Sequence, residues 1–489
     1  MNATAISKAC RTLLAVVLVA FMTQPTLAQH KLAAPAIEAW NEGDLERAEQ
    51  LWTQWARQDE TTHIPWYNLA CARSMRGDTD GAADHLLTAI ERGFSDFERL
   101  KTDPSLRAYR ATDDYTRLRS AWPAFLDRRI DTQIAAARQT YGPRYNYTKD
   151  EKLRVAYASA FDTITSRQAR EDTRDVADWA MRNVLFNLDE RDATHPDPWT
   201  LVVLPTQQHF QNWAAQHYGD IPRSATSQLG GSYDHDKKEL VAIDLGSTLR
   251  HEFFHVLHWR SADRLGQRHP IWIQEGLASL VEDMDQTRRG RYEPVASWRT
   301  NSIKRLATQN KLPGIRDFAA MTRDRFTRNR PLRNYAYARC VFMYLHERGM
   351  LDDWYAAYTE SYTADPTGLE AIEAVTNLRP DEFDREMRTW ALALPEVYEQ
   401  NRPPLLNIGA QLDLAQGDGP VVRKVTHANA RRAGLRAGDI ITGFNKRPVR
   451  DLNEFYRVLT GLRPGDRVEL TYRRRINHNS TTIELVETR

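Results

Sequence analysis

The sequence predicts a multidomain α+β protein, with helical repeat hairpins first, a mixed sheet-and-helix domain next, and a small β-rich domain last. Three observations carry this. At 489 residues the chain exceeds what one hydrophobic core usually fills. Gly43-Asp44 with Ala48 returns as Gly77-Asp78 with Ala82, an offset of 34 residues typical of stacked helical hairpins. The run Gln400-Asn401-Arg402-Pro403-Pro404 then breaks a long helical stretch and reads as a linker to a final segment of short apolar runs and Gly-Asp turns. The expected divisions are 1–28, 29–125, 126–399 and 400–489.

The first division has the layout of a secretory signal peptide. Lys8 and Arg11 precede an apolar run from Leu13 to Met22, and Ala28 supplies a small residue for cleavage. The run is too short for a comfortable transmembrane helix, so an exported protein, periplasmic or secreted, is expected, with no stable membrane span after signal removal. Cys10 leaves with the signal. Cys71 and Cys340 lie on apolar helix faces in different divisions and read as buried thiols, not a disulfide. A formal net charge of +2, from 67 basic and 65 acidic residues, leaves no electrostatic footprint for nucleic acid. The Arg473-Arg474-Arg475 cluster reads as a solvated hairpin end.

In the second division Tyr67 to Ala72 reads as the first helix of a second hairpin, and a helix from about Asp103 to Leu118 as a cap. The period resembles that of tetratricopeptide repeats, which implies either a surface for a protein partner or a packing appendage. Beyond it a long charged helix is expected from about Asp150 to Leu188. Trp199 to Pro205 reads as a buried strand, and Gly230 to Tyr233 with Leu240 to Asp244 as a strand pair.

That pair leads into Leu249-Arg250-His251-Glu252-Phe253-Phe254-His255. Residues i and i+4 share one face of a helix, so both imidazoles can reach a single metal ion. Glu252 sits where a carboxylate can take a proton from water activated there. A hydrolytic zinc site wants three protein ligands and an open position. Twenty residues after His255, Glu275 offers a carboxylate on the apolar, helix-forming stretch Pro270 to Ala278.

On these motifs the chain resembles the gluzincin metallopeptidases. Trp272-Ile273-Gln274-Glu275-Gly276-Leu277-Ala278 is similar to the branch that includes glycyl-aminopeptidases. The resemblance implies one Zn2+ on His251, His255 and Glu275, with Glu252 as general base and a peptide or protein substrate. The thermolysin-like branch has an aspartate four residues after the glutamate ligand, where this chain has Ser279; Asp244 or Asp283 is expected to orient a histidine instead. Related peptidases carry a helix that opens Tyr-Ala and closes Tyr-Leu. Matching it to Asn334–Leu345 makes Tyr335 the expected oxyanion donor, with Tyr337 second. Arg339 reads as solvated or structural, and His235 as an exposed loop histidine. Gluzincins also set a sheet edge beside the active helix, which here implies Gly230 to Tyr233 as the strand that pairs with substrate.

From about Leu405 onward the sequence resembles a PDZ domain. Ile408-Gly409-Ala410 matches its carboxylate-binding loop, and Ala433-Gly434-Leu435-Arg436-Ala437-Gly438-Asp439 its bacterial signature. The resemblance implies a groove for a peptide tail. Three functions stay open: a zinc endopeptidase, a glycyl-aminopeptidase-type exopeptidase, and a non-catalytic peptide-binding scaffold.

Overall fold

The computed structural model describes residues 31–487, apart from 61, 189–196, 219–229, 235–237, 288–289, 401 and 414–416. The expected signal segment and His235 lie outside the described residues. Among the described residues no helix is long and apolar enough to cross a membrane.

The repeated Gly-Asp pairs are helix punctuation. Helices α1 (Ala33–Asn41), α2 (Leu45–Gln58), α3 (Ile64–Met75) and α4 (Thr79–Glu91) form two hairpins. Gly43 and Gly77 turn the chain at φ +80° and +81°, in open space, so backbone conformation and not crowding demands glycine there. Asp44 and Asp78 follow as N-caps, accepting 3.0 Å hydrogen bonds from the amides of Arg47 and Gly81. Ala48 and Ala82 are fully buried, as close helix crossing requires.

The single capping helix expected from Asp103 to Leu118 is instead a broken series. Short helices Phe97–Thr102 and Arg107–Arg110 precede a long helix, Asp113–Tyr141, that starts on the Thr112 cap. Its first half places Leu118, Trp122 and Leu126 in the hairpin core, and its second half places Ala137 against the sheet. The expected division at 125/126 falls inside this helix.

The charged helix expected from Asp150 to Leu188 also differs. Strands β1 (Asn146–Asp150) and β2 (Val155–Ser159) form a hairpin first, and the helix covers only Thr163–Asn183. Every residue of β2 is buried, and a short all-buried strand carries no alternation to distinguish it from helix. Asp162 then caps the helix through the amides of Ile164 and Thr165.

With β3 (Trp199–Val203), β4 (Gly231–Asp234) and β5 (Glu239–Ala242), these strands build one sheet in the order β1-β2-β3-β5-β4. β2, β3 and β5 run parallel; β4 is antiparallel to β5 and forms one edge. The HExxH helix, Ser247–Arg264, packs on the sheet, the glutamate helix, Ile271–Leu280, packs on that helix, and the tyrosine helix, Pro331–Glu347, packs on the glutamate helix, all in one continuous core.

The last two helices touch at Gly276. A Cβ there would stand 2.6 Å from the Phe342 ring and 2.9 Å from the Ala338 carbonyl. One turn earlier, Trp272 stacks on the same ring, at 5.1 Å and 6° between planes. The thiols of Cys71 and Cys340 are both free and buried.

The C-terminal β-rich unit has its own core, including Ile408, Val422, Ile441, Phe455 and Leu470, under strands that run from Ala410–Asp413 to Asn477–Glu484. The linker before it is held down: the amides of Tyr398 and Gln400 donate to Thr460 and Asn453. Because the contact at Gly276 has no slack, Gly276→Val is expected to lower stability by about 1–3 kcal/mol, measured by denaturant unfolding.

Candidate metal centre

The HExxH helix begins on a carboxylate. Asp244, two residues after β5, accepts the amides of Gly246 (2.8 Å) and Thr248 (3.2 Å) and also bonds the Thr248 hydroxyl. Its expected role beside a histidine is therefore overturned, because the helix N-terminus takes it.

Two turns on, His251 and His255 lie on one face, both buried, with their Nε2 atoms 3.0 Å apart. Oε2 of Glu275 stands 3.2 Å from His251 Nε2 and 3.6 Å from His255 Nε2. Donors at about 2.0–2.1 Å from one tetrahedral zinc sit roughly 3.3 Å from one another, so this triangle fits such an ion. Neither oxygen of Glu275 has a hydrogen bond. Among the described residues these three alone form a cluster able to hold a metal.

The back of His251 is held by Glu282. Nδ1 of His251 lies 2.9 Å from Glu282 Oε1, and Arg299 donates to both oxygens of that glutamate at 2.7 Å. Burial alone would raise Glu282, but the charge of Arg299 outweighs it and holds the carboxyl well below its usual range. The partner foreseen at Asp283 is thus its neighbour Glu282. Asp283 instead accepts from Arg457 at 2.8 Å, across the interface with the C-terminal unit. Glu282 lies in the turn just past the end of the glutamate helix, where no helical spacing from Glu275 marks it.

Burial opposes charge on His251, yet Glu275 and Glu282 outweigh it and hold this imidazole up, at about 10. For Glu275 burial acts upward, and the two histidines overcome it to set the carboxyl at about 2.

Glu252 has a different environment. It is fully buried, neither of its oxygens has a hydrogen bond, and burial, with Glu275 and Glu282 nearby, pushes it up to about 8 against the pull of His251. A carboxyl placed there exchanges protons near neutrality. Edge strand β4 runs directly over it. A Cβ on Gly231 would lie 2.6 Å from Glu252 Cγ, so glycine is what lets the strand and the carboxylate share this space. Two residues along the same face, Tyr233 stacks on His255 at 5.0 Å. Sequence reasoning did not single out Tyr233, although strand alternation from Gly231 points to it.

Tyr335 is buried against Phe326, at 5.1 Å, and burial followed by the charges of Glu275 and Glu252 keeps its phenol strongly protonated. Tyr337 faces elsewhere: its ring packs on Phe318 at 4.7 Å, and Asp384 is the leading charge near its hydroxyl. That removes the second candidate from the site. Arg339 is fully buried and donates to the carbonyls of Leu280 and Val295, a structural arginine bracing the chain after Glu275.

Against known families, residues 407–485 match the model "PDZ domain". A curated protein of Rhizobium meliloti (strain 1021), "Probable periplasmic serine endoprotease DegP-like", is 30% identical over 87 residues, 18% of this chain and 17% of that protein. The chain thus spans less than a fifth of this relative's length. Among solved structures, a serine endoprotease from Yersinia pestis aligns with 22% of this chain and 36% of its own, at 22% identity and a TM-score of 0.15. An aminopeptidase N family protein from Idiomarina loihiensis aligns with 71% of this chain and 67% of its own, at 13% identity and a TM-score of 0.27. The β-rich unit at the C-terminus of this chain is a PDZ domain.

Proposed function

We propose that this chain is an exported zinc metallopeptidase of gluzincin type. The observation that carries the reading is the triangle of His251, His255 and Glu275 donors beside an unpartnered, buried Glu252. Zinc held by those three groups supplies Lewis-acid polarisation of a carbonyl and a lowered pKa for water at the site. Glu252 takes the proton of the attacking water and delivers it to the leaving amine. Tyr335 donates a hydrogen bond to the oxygen that becomes negative as the carbonyl carbon turns tetrahedral. Arg299 and Glu282 keep the His251 ring aligned, and edge strand β4 offers backbone groups to an extended peptide.

Endopeptidase cleavage is favoured over aminopeptidase cleavage because a free amino terminus needs a carboxylate to receive it. Among the described residues, the carboxylates whose charge acts most strongly on Glu252 are Glu275, Glu282 and Asp244. Each is already engaged, with the histidines, with Arg299 or with a helix N-terminus. Peptides with a blocked amino terminus are therefore expected to be cleaved as well as free ones; cleavage of free peptides alone, read by mass spectrometry, would reverse the preference.

The purified mature protein is expected to hold about one zinc per chain by elemental analysis, and His251→Ala to lose it. Glu252→Gln should keep the metal and lower kcat by about 10²–10⁴. Tyr335→Phe should lower kcat by about 10²–10³ with KM little changed. Full activity in Glu252→Gln would sink the mechanism.

A proton must also leave for zinc to bind. The metal-free His251 carries its proton up to about pH 10, so at neutral pH the ion displaces it. Zinc affinity should therefore rise with pH, about tenfold per unit between pH 6 and 8 for one proton released, measured by chelator competition.

A further inference from the structure

The helix Leu452–Val458 of the PDZ domain touches the HExxH helix and the segment that follows the glutamate helix. Its Glu454 is buried and pairs with Arg250, the residue immediately before His251. Arg250 in turn donates to the carbonyls of Val281 (3.0 Å) and Glu282. Glu454 is itself oriented by the Arg450 amide at 2.7 Å.

From the same helix Arg457 donates to the Asp283 carboxylate at 2.8 Å and towards the Met284 carbonyl at 3.4 Å. At the start of the HExxH helix, the Ser247 hydroxyl donates to Asp451 at 3.3 Å, and the Leu245 amide to the Gly417 carbonyl at 2.9 Å. The fit has no spare room: a Cβ on Gly246 would be 2.5 Å from Arg450 Cβ.

We infer that Glu454 and Arg457 are positioning residues for the metal centre, acting through Arg250 and the 281–284 segment on the geometry of His251 and Glu282. The inference rests on the zinc site proposed above. Glu282 can align His251 only if its backbone is fixed relative to the HExxH helix. Arg250 ties those two pieces together, and Glu454 holds Arg250 in place. Arg457 anchors the next residue, Asp283, from the same PDZ helix. The arrangement makes the PDZ domain a structural part of the zinc site, whatever its groove binds. By linkage, zinc should in turn strengthen the docking of that domain.

The test uses the full mature chain. Zinc affinity is measured by chelator competition for the wild type, Glu454→Gln, Arg457→Ala and a control, Arg447→Ala. Arg447 pairs across the same interface with Asp285, but that pair is partly exposed and bonds neither Arg250 nor Glu282. The expected result is a loss of about 10–100-fold in zinc affinity for Glu454→Gln and Arg457→Ala, and none for the control. The visible spectrum of the cobalt-loaded protein should shift in the first two alone, because it reports ligand geometry and not stability. Wild-type affinity and an unchanged cobalt spectrum in both variants would overturn the inference, even if their melting temperatures fall. Should Glu454→Gln fail to fold, Arg457→Ala decides, since it leaves the Arg250 pair intact. A wild type that takes up no zinc would defeat the functional reading itself, an outcome distinct from either of these.

Discussion

Four ionisable side chains, His251, Glu275, Glu282 and Arg299, are withdrawn from water at one point in the core. Burying a charge is costly unless it is paired and hydrogen-bonded, so such a cluster persists only as a closed set. Arg299 closes it at one end through two bonds to Glu282, and Glu282 passes the alignment to His251. At the other end His255 and Glu275 face His251, with their donor atoms 3.0 Å, 3.2 Å and 3.6 Å apart. That grouping of donors is what lets the cluster hold a metal ion as well as an internal salt bridge. The surrounding helices are constrained to deliver these groups, and the contact of Gly276 with Phe342 shows how little freedom they keep.

Glu252 shows the converse use of burial. It lies within the same charged neighbourhood but has no partner of its own, and its carboxyl rises towards neutrality as a result. The passage of β4 over it, possible because residue 231 has no side chain, brings a sheet edge directly beside this carboxyl.

The flanking regions are integrated with this centre. The long helix Asp113–Tyr141 belongs to the hairpin core at one end and to the sheet core at the other. On the opposite flank, the PDZ domain keeps its own hydrophobic core yet reaches the HExxH helix through the Arg250–Glu454 pair and the 281–284 segment through Arg457–Asp283. The domains are therefore coupled by polar contacts that are specific in geometry, while each retains an independent apolar interior.

What the sequence determined by itself was local. Two histidines four apart share a helix face whatever surrounds them, and a Gly-Asp pair ends one helix and caps the next through bonds that span only three residues. The His251 and His255 pair was legible for that reason, as were the hairpins and the strands at Trp199 and Gly231, whereas Glu275, twenty residues on, was expected from the family resemblance. Tertiary structure alone decided which acid stands behind His251, since the bond to Glu282 spans 31 residues and Asp244 and Asp283 were equally plausible by position. It also decided that Tyr335 and not Tyr337 approaches the site, and that β1 and β2 replace part of a charged helix. The pairing of Arg250 with Glu454 across 204 residues lay furthest from view. Periodicity and capping act within a few residues and leave a trace in the sequence, whereas the partner of a buried charge is settled only when distant elements pack.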